Sequence, residues 1–172
     1  MALFGTSTVN NEHFSPLTIY GVGTFLAYSG DGVNRNRGGC TAIPNKGPIP
    51  AGRYWIVDRP TGGLRSRLQA DAWDLYNYST GTPTHRDKWF ALFRDDGRID
   101  DETKINEVMR GNFRLHPAGG AGISLGCITL PSLADFLSIR RALLSTIQMP
   151  AGNSGLKAYG LIEVTTYGNT CP

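Results

Sequence analysis

The chain has 172 residues, 40% of them hydrophobic and 18% charged, with a net charge of +3. That length suits a single domain with a buried core, and the composition excludes a disordered chain. There is no dense Lys/Arg block to mark a nucleic-acid footprint, and no apolar run approaches the roughly 18 residues of a membrane span, so neither nucleic-acid binding nor membrane insertion is expected.

Residues 1–16 are polar and turn-rich and predict a loose N-terminal segment. The opening Met1-Ala2-Leu3-Phe4-Gly5-Thr6 lacks the basic and apolar stretches of a secretory signal. Synthesis in the cytoplasm without a signal peptide follows as the expectation. Residues 17–28 carry Ile19, Tyr20, Val22, Phe25 and Leu26 around two glycines, which suits two short strands. Residues 29–50 form a long glycine- and proline-rich loop, a kind of segment that often carries function. Residues 53–58 are rich in strand formers, whereas 60–86 are ambiguous, with Trp73, Leu75, Tyr76 and Tyr78 as core material. Another strand is predicted over 88–94, closed by the turn Asp95-Asp96-Gly97. Residues 113–116 and 127–130 read as strands flanking Pro117-Ala118-Gly119-Gly120-Ala121-Gly122.

Ser132 followed by Asp135 is an N-cap pattern, and Leu133, Phe136, Leu137, Leu144 and Ile147 recur near helical spacing behind it. Residues 157–167 supply a closing strand. The reading is a mainly β (α+β) fold with one principal helix, its single domain spanning 17–172.

His116 precedes Cys127 by eleven positions. A thiol is a nucleophile only as thiolate, and a neighbouring imidazole is the usual means of generating it near neutral pH. The glycine-rich stretch between them can fold back as a hairpin or tight loop and bring them together. Gly126 would let a substrate carbonyl approach the backbone N–H groups of Gly126 and Cys127. Ser124 is a candidate to orient the imidazole or hold substrate, the alternative being a turn hydroxyl bonded to local backbone. Arg114 lies two positions before His116, so in a strand both point to one face, where a guanidinium suits a carboxylate. Its alternative is a solvated arginine. Tyr28, Ser29, Asn34 and Asn36 are candidates to line the cleft, although turn chemistry also explains the asparagines. Cys40 and Cys171 are either a disulfide or two free thiols. No metal site is expected, because His13 and His85 have no ligand-spaced partners. The acidic run 95–102 would put Leu92 and Thr103 at calcium-ligand positions. No cofactor is implied.

Histidine first, then Ser124-x-Gly126-Cys127, is an order that resembles the YkuD-like L,D-transpeptidases, and that resemblance implies a single YkuD-like catalytic domain over 17–172 with β-sandwich-like sheets. Further stretches resemble the type VI secretion L,D-transpeptidase effector family. They are Tyr28-Ser29-Gly30, Gly47-Pro48-Ile49-Pro50-x-Gly52-x-Tyr54, Trp89-Phe90-Ala91-Leu92, Ile99-Asp100-Asp101 and Arg110-Gly111-x-Phe113-Arg114-Leu115-His116-Pro117. That resemblance implies an antibacterial toxin exported by type VI machinery into a rival's periplasm, where it attacks peptidoglycan stem tetrapeptides. It also implies secretion-machine components and a cognate periplasmic immunity protein as partners. The implied activity is L,D-carboxypeptidase cleavage and D-amino-acid exchange through a cysteine acyl-enzyme. Leu125 and Thr129-Leu130 stand where wall-building relatives usually carry a histidine or arginine before the glycine and an arginine soon after the cysteine, which points away from crosslinking. Two alternatives stay open: a housekeeping crosslinking enzyme, and a non-enzymatic glycan- or peptide-binding module using Trp55, Trp73 and Trp89 as platforms.

Overall fold

A computed structural model describes residues 1–60, 86–120 and 122–172. Trp73, Leu75, Tyr76, Tyr78 and His85 lie outside the described residues. The described elements are β1 (Leu3–Val9), β2 (Ser15–Ile19), β3 (Gly23–Ala27), β4 (Gly52–Asp58), β5 (Phe90–Arg94), β6 (Glu102–Ile105), β7 (Val108–Gly111), β8 (Arg114–Pro117), β9 (Ile128–Leu130), the helix α1 (Leu133–Leu144), β10 (Met149–Pro150) and β11 (Lys157–Thr166).

Nine strands share one sheet in the order β3-β2-β1-β11-β4-β5-β8-β9, with β10 paired to β11, and β6-β7 form a separate hairpin. The expectation of sandwiched sheets therefore needs correction. The large sheet curls until its two ends meet. Tyr28, just past β3, exchanges two 2.9 Å backbone hydrogen bonds with Thr129 of β9. Sheet twist makes such curling the natural outcome for many strands, and closing the seam removes two exposed edges.

The first sixteen residues are not a loose segment. β1 lies inside the sheet, parallel to β11 from Leu3↔Gly160 to Val9↔Thr166 and antiparallel to β2. Its inward positions are Gly5, Ser7 and Val9, and two of those three side chains are too small or polar to register as a hydrophobic alternation. A Cβ at Gly5 would strike the Thr18 carbonyl, so the small residue is what permits close strand pairing.

The main core gathers Leu17, Ile19, Tyr54, Ile56, Leu92, Leu115, Ile128 and Leu130 with Phe136, Ile139 and Leu143 of α1. A second cluster of Trp55, Val57, Ala91, Phe93 and Leu161 fills the opposite face of β4-β5-β11. The helix starts as its cap predicts, with Ser132 Oγ accepting from the Asp135 N–H at 3.2 Å. Its buried stripe is rotated from the predicted one. Phe136, Ile139 and Leu143 face inward, whereas Leu133, Leu144 and Ile147 are exposed. Ile147 lies beyond the helix end at Leu144 and so cannot share its face.

Candidate functional site

β8 and β9 pair in parallel, with Leu115↔Ile128, His116↔Thr129 and Pro117↔Leu130. The connection between them is thus a return loop and not a hairpin. Cys127 occupies the bend immediately before β9, two positions ahead of Thr129. His116 stands opposite Thr129 and touches it. The parallel pairing brings His116 beside β9, which Cys127 immediately precedes, at the seam where the sheet closes.

His116 is 4% exposed and held on three sides. Its Nδ1 lies 2.7 Å from the Pro117 carbonyl, which fixes the proton on Nδ1 and leaves the lone pair on Nε2. The Thr129 hydroxyl donates to Nε2 at 3.2 Å. Trp89 stacks on the ring, with centroids 4.1 Å apart and planes at 19°. Burial lowers the imidazole pKa to about 4, against a rise from the Pro117 carbonyl, so the ring is neutral near pH 7.

A buried neutral histidine makes stability depend on pH. Between about pH 6.5 and pH 4 the unfolded chain binds a proton that folded His116 refuses, so stability falls as pH drops through this window. The loss is expected to reach about 3 kcal/mol near pH 4. Urea midpoints at pH 7 and pH 4.5 check it, and His116→Gln should flatten the difference between them.

Cys127 is 6% exposed, and its thiol donates to the Asn112 carbonyl at 3.7 Å. Burial pushes its pKa up to about 11, while the Arg114 backbone N–H and the charges of Arg114 and Arg110 pull it down. At rest the site holds a neutral thiol and a neutral imidazole, each bonded to a different partner. Gly126 has φ +97, and a Cβ there would lie 2.5 Å from a terminal nitrogen of Arg110 and 3.1 Å from the Phe113 ring. Its missing side chain makes room for Arg110.

Three sequence-based roles change. Ser124 does not touch the imidazole: its hydroxyl donates to the Cys127 carbonyl at 3.0 Å and accepts from the Gly30 N–H at 3.3 Å, so it shapes the turn before the cysteine. Arg114 is not a free guanidinium, because it grips both Asp101 oxygens, at 2.7 and 2.6 Å. That pairing leaves it bound to Asp101 instead of presented to a substrate carboxylate. Tyr28, Ser29 and Asn34 are buried and brace the loop at 29–50. The Tyr28 hydroxyl donates to the Gly122 carbonyl at 2.9 Å, and its ring lies under Arg35 at 4.0 Å. Ser29 Oγ accepts from the Ile49 N–H at 2.7 Å. Asn34 Oδ1 lies 3.4 Å from the Cys40 sulfur. Asn36, at φ 52, ties the same loop to the carbonyls of Glu12 and His13.

Cys40 and Cys171 form a disulfide across a sequence separation of 131. Sequence reasoning missed the roles of Arg110, Asp101, Trp89 and Thr129. Arg110 is 3% exposed and donates to the carbonyls of Thr41, Gly47 and Pro48. With Asn112, Gly111, Met109, Asn45 and Glu102 it lines a cleft of about 210 Å³, and the Asn112 carbonyl accepts from the Cys127 thiol. Only the coincidence of Arg110, Phe113 and Gly126 in the resemblance-bearing stretches hinted at this contact.

A family model described as the Tlde1 domain matches residues 23–151. No curated protein matches the chain.

Proposed function

The chain belongs to the Tlde1 domain family of type VI secretion effectors, and from that premise we propose an antibacterial enzyme that cleaves peptidoglycan stem tetrapeptides in the target cell's periplasm. One observation carries the chemistry: Cys127 immediately precedes the strand that pairs in parallel beside His116, and the imidazole's Nδ1 is pinned by a backbone carbonyl. This is the nucleophile, base and orienting group that acyl transfer needs.

In this reading Cys127 gives its proton to Nε2, the nitrogen that Thr129 contacts at rest. The sulfur adds to the carbonyl joining the third stem residue to D-alanine. The oxyanion forms beside the Gly126 and Cys127 N–H groups, and the protonated imidazole returns its proton to the departing D-alanine amine. A thioester remains on Cys127. Water then yields the trimmed stem, or the amine of a free D-amino acid yields an exchanged stem, each step regenerating the thiol. Leu125 and Thr129-Leu130, standing where wall-building relatives usually carry basic residues, support hydrolysis and exchange over joining two stems.

Trp55 is buried, and Trp89 is stacked on His116, which counts against a binding module built on these rings. Purified protein incubated with disaccharide-tetrapeptide is expected to release D-alanine, and an added D-amino acid is expected to appear in its place. An intact tetrapeptide after prolonged incubation would overturn the reading. Growth arrest on periplasmic but not cytoplasmic targeting separates a toxin from a housekeeping enzyme.

A further inference from the structure

Among the described residues, the charged groups that bear on the Cys127 sulfur are Arg114, its partner Asp101, and Arg110. They are not equivalent. Arg114 is matched by the carboxylate it grips with two hydrogen bonds, so its net field at the sulfur is largely cancelled. Arg110 has no such match among the described residues. Its acceptors are the neutral carbonyls of Thr41, Gly47 and Pro48, and its guanidinium lies 5.3 Å from the centre of the Phe113 ring.

Burying a full positive charge against neutral dipoles is expensive, and a fold that does so gains from any anion that later forms beside it. Two described groups that can become anions bear on Arg110, Tyr54 and Cys127, and of these only Cys127 gives up a proton in the proposed reaction. A terminal nitrogen of Arg110 approaches Gly126 so closely that a Cβ there would collide with it. The same arginine lines the cleft with Asn112, whose carbonyl holds the resting thiol. We propose that Arg110 is a positioning residue whose uncompensated buried charge stabilises the Cys127 thiolate as the thiol gives up its proton.

The inference rests on Cys127 as the nucleophile, but it can be tested without any peptidoglycan substrate. Cys40 and Cys171 are bonded to each other, so Cys127 is the one free thiol, and alkylation reports on it alone. The pH dependence of iodoacetamide alkylation gives the ionisation midpoint. Arg110→Gln and Arg110→Met remove the charge, and the midpoint is expected to rise by about one unit or more, leaving roughly tenfold less thiolate at a fixed lower pH. Arg110→Lys restores a charge and is expected to bring the midpoint back toward wild type. An unchanged midpoint in either neutral variant, with folding verified by circular dichroism, overturns the proposal.

A second measurement needs no variant. A matched cation offers nothing to an anionic reagent, whereas an unmatched one attracts it. The wild-type rate ratio of iodoacetate to iodoacetamide is expected to exceed that of glutathione about threefold or more. A ratio at or below the glutathione value contradicts the proposal even if both neutral variants fail to fold. If the alkylation results hold while D-alanine release is absent, the substrate assignment fails and the electrostatic one stands.

Discussion

Cys127→Ala is expected to reduce D-alanine release from a tetrapeptide stem by at least about 10³-fold, to the background of the uncatalysed reaction. The expectation is large because, among the described residues, neither hydroxyl beside the site is free to form the acyl bond. Ser124 Oγ is fully buried and engaged with the Cys127 carbonyl and the Gly30 N–H, and the Thr129 hydroxyl is fully buried against His116. Cys127→Ser should fare little better, because a neutral imidazole is a weak base toward a hydroxyl. The structural effect should be small by comparison. The thiol donates weakly to the Asn112 carbonyl and meets the Arg114 backbone N–H, and alanine leaves only a sulfur-sized gap. A loss of about 1–2 kcal/mol is the expected order. Denaturant midpoints alongside the release assay distinguish lost chemistry from lost fold.

The second large effect falls on stability. Breaking the Cys40–Cys171 bond is expected to destabilise the protein by about 5 kcal/mol, because it closes a loop of 131 residues and chain-entropy stabilisation grows with loop length. The native packing around it is close. Cys40 is fully buried, the Gly39 N–H donates to the Thr170 carbonyl at 3.0 Å, and a Cβ on Gly39 or Gly47 would strike backbone. Urea unfolding of Cys127→Ala with and without reductant measures the effect free of exchange with the third thiol. Coincident curves would contradict it. Because Thr41, Gly47 and Pro48 in the bridged loop hold Arg110, reduction should also disturb the surroundings of Cys127.

The fold divides physically into what local pattern reveals and what tertiary contact decides. Strands 15–19 and 23–27, 52–58, 90–94 and 157–166 were readable because β-branched and aromatic residues cluster there between turn residues. The helix start was readable from Ser132 and Asp135, whereas its buried face was not. Leu133, Leu144 and Ile147 are as apolar as Ile139 and Leu143, and only the orientation against the sheet decides which are covered. β1 was missed because Gly5 and Ser7 occupy its inward positions. The β6–β7 hairpin turns on Asn106 and Glu107, both at positive φ, and glutamate gives no turn signal.

At the site, His116 and Cys127 stood out because few residue types can do the chemistry. Their supports did not. A carbonyl from Pro117, a hydroxyl from Thr129 and an indole from Trp89 gain meaning only through strand register and parallel pairing. Arg114 and Asp101 were both visible, thirteen residues apart, but a bidentate pair at that distance leaves no periodic trace. In the structure Arg114 is paired with Asp101, and among the described residues Arg110 meets only neutral carbonyls.

The central claim is a covalent intermediate on Cys127, and mass spectrometry of the acid-quenched protein tests it most directly. After brief incubation with tetrapeptide stem, a proteolytic fragment containing Cys127 is expected to carry the mass of the stem less D-alanine, released by hydroxylamine. D-alanine release with the adduct on another residue, or undiminished release by Cys127→Ala, would contradict the account.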